Sequence, residues 1–144
     1  MLHDMMKDMR NAIIAGEFHG ELAKVMVDGA RHEIERSGRK AEIFWVPGSY
    51  EVPLLLDAIL SKPKFAGCVV AGYIEKGHTM HGQVMGEVVH GKIIDLSIKY
   101  KKPVGIGIVG PGATLQQAQS RAPSYGGKAA RAVINMLARL TELS

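Results

Sequence analysis

The chain has 144 residues, the usual size of one domain, which is enough to bury most of its apolar surface without disulfides or structural metals. Hydrophobic residues make up 47% and charged residues 22%, so the composition is that of a globular protein rather than a disordered or fibrous one. The formal net charge is +4, but basic residues are spread among acidic ones, which argues against a nucleic-acid partner and favours a small anionic ligand. We therefore expect a single domain over residues 1–144.

The N-terminal segment and the cysteine content bear on where the protein works. Residues 1–10 carry two acidic and two basic residues without the apolar core of a signal peptide, and no later apolar run has the length of a membrane span. Cys68 is the only cysteine, which excludes an internal disulfide and a thiolate metal cluster. These features predict a cytoplasmic protein with no membrane partner, in which Cys68 is a buried, inert thiol.

Short apolar runs predict the strands of a sheet. Each run is apolar throughout rather than alternating with polar residues, which is typical of a parallel sheet covered by helices on both faces. The predicted strands cover residues 11–16, 41–46, 67–74 and 102–110.

Apolar residues at helical spacing fill the stretches between these strands. A first helix is predicted over residues 21–37 and ends before Gly38. A second helix begins around Ser49, a plausible N-cap, and tolerates Pro53 only because that proline falls in its first turn. A third helix ends at about Tyr100.

The C-terminal segment is predicted to hold two helices rather than one. A short helix extends through Arg121, is interrupted at Pro123, and is followed by a final helix. Strand and helix thus alternate four times along the chain. This order predicts a three-layer α/β/α sandwich with a four-stranded parallel, flavodoxin-like sheet.

The loops that leave the strands are the places where function is expected. Ligands of a parallel sheet bind beyond the carboxyl ends of its strands, and a packed helix face gives no access to a substrate. The glycines of the last loop lack the lysine and the spacing of a phosphate-binding P-loop, so we interpret them as turn formers. The loops cover residues 16–20, 47–51, 76–82 and 110–114.

Two histidines, His78 and His81, stand three positions apart after the third strand. A metal there needs further ligands, and only Glu75 or Glu87 is near in sequence, so we predict no metal site. A second interpretation makes the histidines loop polar groups, one of them satisfying backbone N–H groups at a helix start. A third uses the same N–H groups and the helix dipole for a phosphate, with a histidine moving protons beside it.

Other loop residues also have two interpretations. Phe18 and Tyr50 follow strands, where they either pack at the edge of the core or sandwich a planar ring. Glu51 either complements a helix N-terminus or binds ring N–H groups and sugar hydroxyls. Arg121 is most simply a solvated helix charge.

Four motifs stand in a fixed order along the chain: VPGSYEVP follows the second strand, KGHTMH follows the third, and KPVGIGIVG precedes QQAQSRA. Taken in this order, they resemble the lumazine synthase family over nearly the whole chain. The segments GIVGPGAT and SYGGKAARAV are more similar to the archaeal branch of that family.

The resemblance implies an enzyme of riboflavin biosynthesis. In the family, 5-amino-6-(D-ribitylamino)uracil condenses with 3,4-dihydroxy-2-butanone 4-phosphate to 6,7-dimethyl-8-ribityllumazine, releasing phosphate and water. The family uses no metal and no organic cofactor. The implied partners are these two small molecules and further copies of the same chain.

The resemblance also implies a role for each matching residue. His81 transfers protons and Phe18 stacks on the pyrimidine ring, while Arg121 pairs with the phosphate that His78 and Thr79 receive at a helix start. The remaining substrate-binding residues, which hold the ring edge and the ribityl chain or line the same pocket, are Ser49, Tyr50, Glu51, Tyr73, Ile74, Glu75 and Ile106.

Family members form pentamers, and some assemble twelve pentamers into a hollow shell. In them the residues matching Ile106 and Arg121 reach into the site from the adjacent subunit. A homopentamer is therefore implied for this chain. The sequence departs from the common bacterial pattern at Glu75, Met80, Gly82 and Ile106.

Three alternatives remain open at this stage. One is the archaeal type of riboflavin synthase, which has a related fold, although the GHTMH loop over residues 77–81 argues against it. Another is a flavodoxin-like module that holds flavin phosphate. The third is a shell-forming scaffold whose activity is altered or lost.

Overall fold

A computed structural model describes residues 8–144, so the first seven residues of the expected 1–144 domain lie outside the described residues. Its sheet has four parallel strands in the order β2-β1-β3-β4. Residues 10–16 of β1 pair one to one with residues 40–46 of β2. The strands are β1 Arg10–Gly16, β2 Lys40–Val46, β3 Phe65–Glu75 and β4 Val104–Ala113.

Helices cover both faces of this sheet. Within residues 8–144 none of them is both long and apolar enough to cross a membrane. The helices are α1 Gly20–Arg36, α2 Val52–Leu60, α3 His81–Tyr100 and α4 Leu115–Glu142, and a short 3-10 helix, Ser49–Glu51, precedes α2.

The sheet divides the core into two parts because neighbouring side chains of a strand point to opposite faces. Ile13 and Ala15 of β1 pack with residues of α1 and α4. Ala12 and Ile14 pack with residues of α2 and α3 on the other face. The predicted three-layer α/β/α sandwich with a four-stranded parallel sheet is confirmed.

The end of α1 follows the sequence pattern. Helix α1 ends at Arg36, and Gly38 follows with φ +86°, a left-handed conformation that glycine adopts without a Cβ clash. The prediction that Gly38 stops this helix is confirmed.

The predicted interruption at Pro123 is wrong, because α4 runs unbroken from Leu115 to Glu142 with this proline inside. A proline inside a helix costs about 3 kcal/mol, so something must offset it. Thr114 caps the start in a reciprocal capping box with Gln117. The buried stripe continues across the proline from Ala118 and Ala122 to Gly126, Gly127, Ala129, Ala130, Val133 and Leu137.

The predicted N-cap at Ser49 is also wrong. Ser49 lies inside the 3-10 helix, and its side chain makes no capping hydrogen bond to α2, whose N-cap residue is Glu51. The backbone of the 3-10 helix leads directly into α2, since the Val52 N–H already donates to the Ser49 carbonyl. Pro53 does fall in the first turn of α2, as predicted.

Candidate active site

A cavity of about 540 Å³ opens at the carboxyl ends of β1, β2 and β3, beside the start of α3. Its wall comes from the loops after three different strands, which is where a parallel sheet presents ligand-binding groups. The predicted site residues that line it are Phe18, Ser49, Tyr50, Glu51, Tyr73, Ile74, Glu75, Thr79 and His81.

The two aromatic residues of the loops, Phe18 and Tyr50, are exposed to solvent at this cavity. Phe18 is 60% exposed and Tyr50 is 45% exposed, so neither packs into the edge of the core. A large apolar ring left in water at a cavity has a face free for a planar ligand. The arrangement favours the sandwiching interpretation of these residues.

His81 lies at the point where α3 begins. Its ring centroid is 5.9 Å from that of Tyr50, with the two rings at 70°. Its backbone N–H donates to Thr79 Oγ1 at 3.2 Å, so this hydroxyl satisfies one donor of the helix start. The imidazole and the first turn of α3 therefore face the same cavity as the aromatic rings.

The side chains of Tyr73 and Ile74 pack in the core on opposite faces of the sheet. The Tyr73 hydroxyl donates to the Ala113 carbonyl at 2.8 Å, and burial, followed by the negative charge of Glu75, raises the pKa of Tyr73. Ile74 packs in the core below α2 and α3. The Tyr73 hydroxyl is thus tied to the end of β4, and both residues also line the cavity.

Glu75 carries the charge for which the sequence offered no explanation. Its Oε1 lies 2.7 Å from Nε2 of His19, a residue of the loop after β1 that the sequence interpretation passed over. The signal for His19 was its place next to Phe18 in a strand-end loop. Lys76 also lines the cavity and was missed, although it begins the loop after β3.

Gly82 is explained by close packing at the end of β3. A Cβ on this residue would lie 2.5 Å from the Glu75 carbonyl oxygen, closer than side-chain carbons approach backbone oxygens. An aromatic residue after His81 would push the start of α3 away from the sheet. Glycine at this position lets His81 approach the strand ends.

Three predicted residues do not line the cavity of this chain, namely His78, Ile106 and Arg121. His78 is exposed in the loop before α3, and Arg121 is exposed on α4. Ile106 is half-buried and packs against the core below α2 and α3. The resemblance implies that Ile106 and Arg121 act in a neighbouring subunit's site, and this stays a prediction.

The cavity presents ionisable groups of both signs. Glu51 and Glu75 contribute carboxylates, while Lys76 and His81 contribute basic groups. In the described part of the chain, no group of three His, Cys, Asp or Glu side chains gathers as a metal ion would require. Cys68, which is fully buried, lies outside the cavity, and burial raises the pKa of its thiol.

The fold and this cavity define a class of protein: a three-layer α/β/α protein with a cavity at the strand ends that exposed aromatic rings and a helix start share. Comparison with known proteins gives the family. Residues 8–141 match the family model of 6,7-dimethyl-8-ribityllumazine synthase, and the chain belongs to that family.

Proteins named 6,7-dimethyl-8-ribityllumazine synthase are similar to nearly the whole chain. The one from Staphylothermus marinus is 36% identical over 93% of this chain and 90% of its own length. The one from Methanopyrus kandleri is 36% identical over 96% of this chain and 98% of its own length. The one from Metallosphaera sedula is 33% identical over 91% of this chain and 87% of its own length. The predicted family, and with it a transferase of riboflavin biosynthesis, is confirmed.

Proposed function

We propose that the cavity condenses 5-amino-6-(D-ribitylamino)uracil with 3,4-dihydroxy-2-butanone 4-phosphate to form 6,7-dimethyl-8-ribityllumazine, with release of phosphate and water. The observation that carries this proposal is one cavity shared by two exposed aromatic rings, an imidazole and a helix start. As the family resemblance implies, the reaction uses no metal and no organic cofactor.

The pyrimidine substrate binds along the aromatic side of the cavity. Phe18 stacks on its ring, because 60% of this side chain is exposed at the lip. Ser49, Tyr50 and Glu51 hold the ring edge and the ribityl chain from the 3-10 helix, where carboxylate and hydroxyl groups match N–H and hydroxyl partners. Backbone groups of Tyr73 and Ile74 complete this side.

The phosphate substrate binds at the start of α3. Unpaired N–H groups and the positive end of the dipole of this 20-residue helix suit an anion. His78 and Thr79 supply the turn before the helix, and Arg121 of a neighbouring subunit supplies the charge that pairs with the phosphate. Negative charge on the departing phosphate is thereby stabilised.

His81 transfers protons between the two substrates. Imine formation, phosphate elimination and ring closure each move a proton, so one imidazole beside the reacting atoms assists several steps. Holding the amine and the ketone together contributes about 7 to 11 kcal/mol to such reactions, which leaves proton transfer a smaller share. The placement of His81 between Tyr50 and the α3 start supports this role.

The active protein is a homopentamer, alone or as twelve pentamers in an icosahedral shell. Two observations support assembly: Arg121 lies outside the cavity of its own chain, and α2 and α3 leave large apolar side chains in water. The apolar side chains on these helices are Leu54, Val84, Val88, Ile94 and Ile98, of which Leu54 is 81% exposed.

We place the protein in the cytoplasm, since its only cysteine is a buried thiol.

Mixing the purified protein with both substrates tests the proposal. We expect lumazine absorbance and fluorescence to rise with time and one phosphate to be released for each lumazine. Sedimentation of the same sample gives the assembly state. Assembled particles that form no lumazine above the uncatalysed rate would reject the enzyme and favour a scaffold with lost activity.

A further inference from the structure

His19 has a backbone conformation that few side chains adopt. Its φ of 60° and ψ of 47° are left-handed, and among residues 8–144 only Lys101 is another non-glycine residue with positive φ. His19 occupies the N-cap position of α1, yet its side chain makes no capping bond. The ring turns away from its own helix and toward the end of the sheet.

The imidazole of His19 is held on three sides at that place. Nε2 lies 2.7 Å from Glu75 Oε1, and the ring centroid is 5.0 Å from Tyr73 and 4.5 Å from Phe18. Tyr73 is itself fixed, since its hydroxyl donates to the buried Ala113 carbonyl. His19 therefore joins the loop after β1 to the ends of β3 and β4.

Phe18 receives its orientation through this contact. Its ring lies edge-on to His19 at 71°, while 60% of the side chain is exposed and so has little packing of its own. A ring that stacks on a ligand gains affinity when its orientation exists before binding. Whatever fixes His19 thus limits where Phe18 points.

The same contact occupies the carboxylate of Glu75. This residue lines the cavity that receives a phosphate ester, where an unpaired carboxylate would repel the substrate. The bond to His19 satisfies Oε1 on the side of the β1 loop. The side chains of Glu75 and His19 remain 50% and 22% exposed, so the bond is partly screened by water.

We propose that His19 and Glu75 are positioning residues that act through Phe18, holding its ring ready for the pyrimidine substrate. The inference rests on the proposed function and adds to it a residue pair with a specificity role. It predicts that His19 and Glu75 affect the binding of the pyrimidine substrate and of the lumazine product. The phosphate substrate and the turnover number depend on other groups.

The test compares His19→Ala, Glu75→Ala and the double variant in the full-length protein. Steady-state kinetics give KM for each substrate and kcat, and titration with 6,7-dimethyl-8-ribityllumazine, followed by its fluorescence, gives affinity without turnover. We expect each single variant to raise the pyrimidine KM and weaken lumazine binding about three- to fivefold. The double variant should be no worse than the worse single one, because both break one bond.

Two further variants separate positioning from a general structural role. Glu75→Gln keeps an acceptor oxygen for His19, so it should weaken lumazine binding less than Glu75→Ala does. In a Phe18→Ala background, His19→Ala should change lumazine binding by less than about 1.5-fold, since the ring through which it acts is gone. Circular dichroism confirms that each variant is folded.

Other outcomes overturn the inference. A His19→Ala effect that persists in full without Phe18, or one confined to kcat or to the phosphate substrate, would contradict it. Glu75→Ala weakening lumazine binding while His19→Ala does not would mean that Glu75 binds the ligand directly. If the parent binds lumazine but forms none, the proposed reaction fails while the binding comparison still decides the positioning role. A parent that does neither would overturn both.

Discussion

Helices α1 and α4 pack against each other far more extensively than α2 and α3 do. On the first side, glycines bring backbones together: a Cβ on Gly126 would meet the Met26 carbonyl, and one on Gly105 the Ala129 carbonyl. On the second side, the start of α3 borders the cavity, and both helices leave large apolar side chains in water. The first side is thus closely packed, and the second leaves a cavity and an apolar surface open.

The largest effect is expected from Gly126→Ala on the closely packed side. The added methyl group would overlap the Met26 carbonyl oxygen, so α4 must move off α1. We expect the free energy of unfolding to fall by about 3 kcal/mol. Denaturant titration at a fixed protein concentration measures it.

Gly127→Ala is the matched control for that variant. Its new methyl group would meet side-chain atoms of Arg131 and Glu33 at 3.4 and 3.5 Å and the Gly29 carbonyl oxygen at 3.7 Å, all ordinary contact distances. We expect a change within about 1 kcal/mol. An equal loss of stability in both variants would mean that replacing any glycine of α4 has this effect, and that the overlap with the Met26 carbonyl is not its cause.

Arg121→Ala should give the next largest effect, on the open side. Removing a charged donor to a phosphate costs roughly 10- to 100-fold in binding. We therefore expect KM for the phosphate substrate to rise by about that factor, with a smaller change in kcat. Arg139→Ala, an exposed arginine near the other end of α4, should behave as the parent. A rise confined to the KM for the pyrimidine substrate would mean that Arg121 does not bind the phosphate.

His81→Ala should slow turnover more modestly. We expect kcat to fall about tenfold, less than general acid–base catalysis often provides, because substrate positioning is retained. Both KM values should change little, and His32→Ala, on the exposed surface of α1, should match the parent. Parent-like kcat in His81→Ala would remove the proton-transfer role.

The smallest effect concerns a side-chain link between α2 and α3. Tyr100 donates to Asp57 Oδ1 at 2.8 Å, and this hydrogen bond is the main cause that lowers the pKa of Asp57. A carboxyl group with a depressed folded pKa stabilises the protein above its unfolded pKa and loses that contribution as pH falls through the folded value.

Asp57→Asn should therefore lower Tm by a few degrees at most near pH 7. The difference from the parent should shrink as the pH falls below about 4. Asp95→Asn, an exposed acid on α3, is the control and should leave Tm unchanged. A deficit for Asp57→Asn that is undiminished in acid would indicate lost packing instead of lost charge.

Sequence periodicity predicted this fold well because the strands are apolar throughout and the helices carry regular stripes. It failed at Pro123 and Ser49, where tertiary packing and a 3-10 helix override a local rule. The loop positions of Phe18 and His81 pointed to the cavity because strand ends meet at one edge. The bond between His19 and Glu75 joins residues 56 positions apart, which no local pattern reveals.

The measurement that tests the central claim most directly is complementation between two variants. In the proposed site, Arg121 of a neighbouring subunit completes the cavity that holds His81, since Arg121 does not line the cavity of its own chain. His81→Ala and Arg121→Ala chains, co-expressed and purified together, should form mixed oligomers in which about a quarter of the sites contain both native residues. At low phosphate-substrate concentration the mixture should form lumazine faster than either variant alone. Mixed oligomers with only the average of the two variant rates would contradict a subunit-shared site.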